Sequence, residues 1–228
     1  MRPKLSVVLP TKDEEGVFDT IDSLRKRFGK DIELIVVDKS GPEFRERVRK
    51  TGVKLLVQKS RGVENAMIQG LSSARGDIIV SLDADGTHDI SGISDGIRLI
   101  RQGKADLVLG NRLDGVEEGA MTAYLRFGNA MLSHIYNVFY RQHIHDLLTG
   151  LLVMRRSSFE KVKDRRPFEM PIAFCQIELA RDGCKIEEVP IKYYKRKYGA
   201  SRLTKSKFFY GFSTAWRIVR RSMDRVDR

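Results

Sequence analysis

Cysteine is nearly absent from this chain. Cys175 and Cys184 are the only two, with no C-x-x-C spacing and no histidine close to either. That argues against a disulfide scaffold or a cysteine zinc site and for two reduced thiols in a reducing compartment. Long apolar runs are missing as well: no stretch reaches the ~18 uninterrupted apolar residues of a membrane span. The opening MRPKLSVVLP has too short an apolar run for a signal peptide and meets TKDEE at once. A soluble or peripheral cytoplasmic protein is expected. Internal repeats, low-complexity segments and recognised nucleic-acid-binding motifs are lacking, so nucleic acid is not the expected partner. Nor does LPTKDEEG resemble the glycine-rich, basic loop that a nucleotidyltransferase carries after its first strand.

What is present is charge and buried-strand sequence. The 228 residues, 41% of them apolar, suffice for an α/β domain with a substantial core. The net charge of +12 is concentrated: from Lys195 onward eleven lysines and arginines face only Asp224 and Asp227, so this tail carries +9 of it. A basic tail points to an anionic partner, whether acidic lipid, nucleic acid or a phosphorylated substrate.

Short β-branched runs alternate with helical periodicity. Residues 5–11, 32–38, 53–58, 77–85 and 105–111 read as strands. Between them, 14–28 sets Val17, Ile21, Leu24 and Phe28 on one helical face, 63–74 forms a helix stopped by Gly76, and Ile93, Ile97 and Ile100 mark another. This alternation predicts a largely parallel sheet covered on both faces, with ligands beyond the carboxyl ends of the strands. Asp38, Asp83, Asp85, Asn111 and Arg112 all fall at such ends. Farther on, 120–141 reads as one long helix, 149–156 as a strand, 172–182 as a helix and 185–196 as an alternating strand. The last segment, 205–228, reads as an amphipathic helix with Phe208, Phe212, Trp216, Val219, Met223 and Val226 on one stripe beside Arg217, Arg220, Arg221 and Arg225. Such a helix can lie in a membrane interface, pack on the domain or meet a second copy. The chain thus divides into a domain over 1–204 and a basic C-terminal helix over 205–228.

Asp83-Ala84-Asp85 is the central chemical signal. Two carboxylates at i and i+2 on a strand end can hold a hard divalent cation, Mg²⁺ or Mn²⁺, near a diphosphate. His88, His134, His143 and His145 show no ligand spacing beyond His143-x-His145 and read as ordinary residues.

SVVLPTKDEE, ELIVVDKS, RGVENAMIQGLSSARGDIIVSLDADGTHD, DLVLGNR, HDLLTG and KIEEVPIKYYKRKYGASRL, in that order and spacing, resemble the inverting nucleotide-sugar glycosyltransferases of family 2. The likeness is greatest to the dolichol-phosphate mannose synthase branch and covers about residues 4–203. It implies a three-layer, Rossmann-like GT-A domain with a mostly parallel sheet and Mg²⁺ or Mn²⁺ as cofactor. It also implies transfer of a mannose- or glucose-type hexose from a GDP- or UDP-sugar to polyprenyl or dolichyl phosphate at the cytoplasmic membrane face. Position by position, it sets Pro10 and Glu14 in the nucleotide pocket and Asp38 against the base or ribose. Asp83 and Asp85 would hold metal and donor, Asp85 more directly. Arg112 and Arg126 would meet the acceptor phosphate. Asp146, Thr149 and Gly150 form a D-x-x-[ST]-G turn, with Asp146 among the catalytic residues and Thr149 near the acceptor. Arg196, Gly199, Ser201 and Arg202 form a covering loop, Arg196 and Arg202 toward the donor and Ser201 toward the acceptor phosphate.

A phosphate monoester, with a second pKa of about 6, is largely dianionic at pH 7 and needs no general base. A hydroxyl acceptor on a soluble glycan or small molecule is the alternative, with Asp146 or Glu178 as base. The chain departs from the family pattern at Lys12-Asp13, Lys39 and Gly86-Thr87, and it has none of the membrane helices that many relatives carry. A separate membrane subunit is the partner that would supply an anchor, and a homo-oligomer is the other expected assembly. A module that binds anionic lipid or nucleic acid without catalysis is the non-enzymatic alternative.

Overall fold

The computed structural model describes residues 4–165, 173–199 and 207–224. Its frame is a seven-stranded sheet: β1 (Leu5–Thr11), β2 (Glu33–Asp38), β3 (Lys54–Val57), β4 (Ile78–Ser81), β5 (Leu107–Asn111), β6 (Leu152–Arg155) and β7 (Ile186–Pro190). The strand order is β3-β2-β1-β4-β6-β5-β7. Only β6 runs against its neighbours, β4 and β5. The remaining pairings are parallel. The α/β class and the mostly parallel sheet read from the sequence are present; the first strand forms over the expected residues 5–11, and the other six form in shortened versions of their runs.

The helices are α1 (Gly16–Phe28), α2 (Pro42–Lys50), α3 (Val63–Ser73), α4 (Ser91–Arg101), α5 (Ala123–Tyr140), α6 (Arg156–Val162), α7 (Phe174–Arg181) and α8 (Lys207–Met223). Two of them, α2 and α6, go beyond the elements that the sequence pattern predicts. In α2 only Phe44 and Val48 are buried among nine mostly charged residues, so its apolar periodicity is thin. Pro42 at its first position supplies the start signal. The seven-residue α6 follows β6 without a connecting loop, which hides its onset.

Strand side chains alternate between two buried faces, which makes three layers. On β1, Val7 and Leu9 pack with Val17, Ile21 and Leu24 of α1, Phe44 and Val48 of α2, and Ile93 and Ile100 of α4. Val8 faces the other way, into a core with Leu71 of α3, Tyr136 of α5, Phe159 of α6, Ile177 of α7 and Ile218 of α8. Both sheet faces are therefore dry, which suits the continuous apolar strands.

The C-terminal helix belongs to the second layer. Thr214 and Ile218 of α8 are buried, and the Tyr140 hydroxyl donates to the Ile218 carbonyl at 2.8 Å. Arg221 donates to the buried Glu178 carboxylate at 2.5 Å. The stripe read from the sequence points outward: Phe212, Trp216 and Met223 are 69%, 61% and 72% exposed. Val219 is half-buried. The Phe208 side chain, Arg225 and Val226 lie outside the described residues. On neighbouring α5, Tyr124, Phe127, Met131 and Val138 form a second exposed apolar row. Among the described residues no helix is long and apolar enough to cross a membrane.

Candidate active site

The strand order reverses around β1 and β4. β1 leads out to β2 on one side, while β4 is flanked by β6 on the other, so the connections after them diverge. A crevice is left at their carboxyl edge, the usual ligand position in such sheets. It opens as a cleft of about 750 Å³. Its walls are Pro10 and Thr11 at the end of β1, Lys12 and Glu14 after it, Lys39 after β2, Arg61 and Gly62 before α3, and Val63 and Glu64 in the first turn of α3. They continue through Asp83, Ala84 and Asp85 after β4, residues 147–150 before β6, Gln176 of α7 and Arg196.

Two glycines let backbone approach the carboxylates. A Cβ on Gly16 would sit 2.9 Å from the Asp85 carbonyl, so the start of α1 fits against that loop only without a side chain. A Cβ on Gly150 would overlap Asp83 Oδ2 outright. Because β6 is antiparallel to β4, its entry turn reaches the same edge as the exit of β4, and this brings Gly150 onto Asp83.

Asp83 keeps its side chain 45% exposed toward the cleft. Desolvation, then the Asp85 charge, push its carboxyl up to about 6. Asp85 is 7% exposed and fully engaged. Its Oδ1 accepts from the Thr87 backbone N–H at 3.1 Å and the Thr87 hydroxyl at 2.7 Å. Its Oδ2 accepts from Arg196 Nη2 at 2.5 Å. Arg196 Nη1 reaches Glu14 Oε2 at 2.6 Å, so one guanidinium spans the cleft between two carboxylates. Among the described residues no group of three or more His, Cys, Asp or Glu is placed to hold a metal. The chain's own contribution would be the Asp83 and Asp85 oxygens. Two hard ligands fit a Mg²⁺ or Mn²⁺ ion that completes its shell with phosphate and water.

The remaining expected residues stand behind or beside the cleft. Arg112 and Asp146 form a buried, bidentate pair: Nε to Oδ2 and Nη2 to Oδ1, both 2.7 Å. Asp146 Oδ2 also takes the Arg112 backbone N–H and Oδ1 takes Asn129 Nδ2. Glu188 of β7 accepts the Asp146 N–H at 2.8 Å, fixing the turn from beneath. Burial works against the Arg112 charge, but the bonds to Asp146 outweigh it and the pKa is raised. Arg112 also donates to the Leu148 carbonyl and lies over the Tyr193 ring, which leaves Nη1 as the nitrogen these bonds do not use. Arg126 is exposed and donates to the Leu113 carbonyl at 2.7 Å, next to Arg112 in the chain. Asp38 is fully buried and spends its carboxylate on the Ser40 N–H and hydroxyl, at 2.8 and 2.5 Å. Lys39 beside it lines the cleft. Thr149 lines the cleft, and its hydroxyl accepts the Leu151 N–H at 3.3 Å. Glu178 is held by Arg165, Arg181 and Arg221 away from the cleft. Ser201 and Arg202 lie outside the described residues.

Sequence reasoning missed three contributors. Glu64 lines the cleft with Oε2 unpartnered among the described residues, and burial pushes its carboxyl up to about 8. Gln176 also lines it, with Oε1 unpartnered among the described residues. Neither position carries a local motif. His88, ordinary by its spacing in the sequence, is 5% exposed behind the cleft wall and bonds to both Thr87 and Gly150. The signal that could have found it is its place three residues beyond Asp85.

Comparison with known proteins agrees with this geometry. Residues 6–163 match the sequence family described as Glycosyl transferase family 2. The low-salt glycan biosynthesis hexosyltransferase Agl6 of Haloferax volcanii is 31% identical over 96% of this chain and 52% of its own length. The dolichol-phosphate mannosyltransferase of Pyrococcus furiosus is 28% identical over 95% of this chain and 64% of its own. The chain thus spans about half to two thirds of these relatives. Among solved structures, glucosyl-3-phosphoglycerate synthase of Mycobacterium tuberculosis, in complex with Mn²⁺, UDP and phosphoglyceric acid, superposes with a TM-score of 0.71 at 17% identity. The match covers 99% of this chain and 80% of that one. At that identity the likeness is one of fold: the three-layer GT-A arrangement.

Proposed function

The chain belongs to glycosyl transferase family 2, and from that premise we propose that it moves a hexose from a GDP- or UDP-sugar to a polyprenyl phosphate at the cytoplasmic face of a membrane, with Mg²⁺ or Mn²⁺ as cofactor. The observation that carries this reading is the carboxylate pair Asp83 and Asp85 in the switch-point crevice, with Arg196 bridging Glu14 and Asp85. The names of the Haloferax and Pyrococcus relatives support a hexose and a dolichol-phosphate acceptor, and the Mn²⁺ and UDP in the Mycobacterium structure support the donor and metal.

In this reading the nucleotide lies along the wall of Pro10, Thr11, Lys12 and Lys39, and the diphosphate lies between Arg196 and the two aspartates. A divalent metal on Asp83 and Asp85 would neutralise the charge that grows on the leaving diphosphate. Arg196 releases Asp85 and turns its planar fork to phosphate oxygens, which match it bidentately. Asp146 braces Arg112, whose remaining Nη1 orients the acceptor phosphate, with Arg126 of α5 reaching the adjacent Leu113 carbonyl. The acceptor brings its own charge: a phosphate monoester attacks the anomeric carbon directly, opposite the leaving group, and inverts it. That suits a site in which Asp146 has committed both oxygens to Arg112 and Asn129. Ser201 and Arg202 are assigned to the covering loop from the sequence alone. The exposed rows of α5 and α8, with the exposed Arg220, form the face that meets the lipid surface.

The test is transfer from labelled GDP-mannose and UDP-glucose to a short polyprenyl phosphate with Mn²⁺, using Asp85→Ala as control. Metal-dependent transfer to lipid, abolished in the variant, is expected. Donor turnover that only a soluble hydroxyl acceptor supports would move the acceptor assignment, and absence of metal-dependent donor binding would end the reading.

A further inference from the structure

His88 sits behind the cleft wall, between the loop at Thr87 and the turn at Gly150. The Gly150 backbone N–H points at its Nε2 over 3.2 Å, and its Nδ1 lies 3.1 Å from the Thr87 hydroxyl. That hydroxyl lies 2.7 Å from Asp85 Oδ1. The direction of every bond follows from the first. A backbone N–H can only donate, so Nε2 must be the accepting nitrogen of a neutral ring. The ring proton is then on Nδ1 and goes to the Thr87 oxygen, and the Thr87 proton goes to Asp85. The ring is 5% exposed and meets the Tyr193 ring edge-on, with centroids 5.2 Å apart. Burial, then the Arg112 charge, bring its pKa down to about 4, in keeping with a neutral ring.

We propose that His88 is a positioning residue that joins the turn before β6 to the Asp85 carboxylate through one polarised hydrogen-bond chain, Gly150 to His88 to Thr87 to Asp85. The chain occupies Oδ1 and leaves Oδ2, which Arg196 holds in this structure, as the Asp85 oxygen that a cation takes once that arginine turns away. Seating of the 149–150 turn and aim of the carboxylate are thereby set together. The inference rests on the transferase reading of the cleft, but its test does not depend on turnover.

Three variants separate the links. His88→Asn keeps a donor at the Nδ1 position and removes the acceptor for Gly150. His88→Gln keeps an acceptor near Nε2 and removes the donor to Thr87. Thr87→Val cuts the last link, and Thr87→Ser, as a control, preserves it. Mn²⁺ binding to the full chain, followed by electron paramagnetic resonance with and without UDP or GDP, reads the Asp85 end. His88→Gln and Thr87→Val are expected to weaken Mn²⁺ by about tenfold, the scale of one lost hydrogen bond to a charged group. His88→Asn and Thr87→Ser should stay within about twofold. Where transfer is measurable, His88→Asn should raise the KM for the acceptor. Equal loss in His88→Asn and His88→Gln, or Thr87→Val binding Mn²⁺ like the parent, overturns the proposal. Because Mn²⁺ affinity is read without an acceptor, a failure of the transferase reading and a failure of this one are told apart.

Discussion

Arg196 Nη2 lies 2.5 Å from Asp85 Oδ2, the one Asp85 oxygen that Thr87 does not take. The side chain that should receive a metal is therefore neutralised by an arginine. Arg196→Ala should tighten Mn²⁺ binding several-fold in the absence of nucleotide, because a competing cation is gone. It should weaken UDP or GDP binding by about tenfold, because the phosphate fork is gone. Calorimetry with each ligand alone checks both signs, and parallel weakening of the two would show that Arg196 does not compete.

Gly150→Ala puts a methyl where the Asp83 carboxylate stands. The turn is at the surface of the cleft, so the fold should survive, with its melting temperature little changed. Mn²⁺ and donor affinity should both drop by about tenfold or more. Wild-type affinity in this variant would mean that the turn moves freely relative to Asp83.

Arg112 and Asp146 are each other's main partner, with Asp146 fully buried. Removing one leaves an uncompensated buried charge, so Arg112→Ala or Asp146→Ala should cost about 3–5 kcal/mol of stability. The double variant should cost clearly less than the sum of the two. Urea unfolding of the three proteins decides it.

The Glu64 carboxyl titrates near 8 in the folded chain against a usual 4.5, burial being the main cause. The folded state thus keeps a proton that the unfolded state gives up. Its contribution is most favourable below pH 4.5 and is lost as pH rises toward 8. Glu64→Gln should match the parent near pH 5 and exceed it by roughly 4 kcal/mol at pH 8.5. Urea midpoints at the two pH values measure this, and parallel pH profiles for the two proteins would rule out the raised carboxyl.

Trp216 is the chain's single tryptophan and is 61% exposed on α8. If α8 meets lipid, anionic vesicles should shift its fluorescence to the blue, and neutral vesicles much less. Phe212→Glu should weaken vesicle binding by about tenfold with little change in melting temperature, since neither residue is in the core. No shift with either vesicle would remove the membrane surface from the proposal.

The sheet is legible in the sequence because both its faces are buried, which makes each strand a short uninterrupted apolar run. The site is legible where backbone places it: Asp83 and Asp85 just past β4, Pro10 near the end of β1 and Glu14 after it, Arg196 in its loop. What is not legible depends on contacts between distant segments. Nothing near Glu64 or Gln176 in the chain announces that they line the cleft. Asp38 and Lys39 are neighbours, but the Ser40 turn buries the first and turns the second toward the cavity. Whether Arg112 and Asp146 face the ligand or each other is settled only by a turn that Glu188, forty-two residues further along, fixes in place. The α8 stripe shows in the sequence as a stripe, but its outward direction follows from Ile218 and Thr214 docking on the opposite side.

β5 pairs only with β6 and β7, both of which come later in the chain. During synthesis the first five strands therefore cannot complete a sheet. β4 leaves the ribosome with one edge open, and β5 waits without any partner until the long α5 and then β6 have emerged. A nascent chain halted after α5 should recruit chaperones, and cutting the gene at that point should yield aggregate from the first half. A split after α5 would leave β5 unpaired and one edge of β4 open until the second half binds.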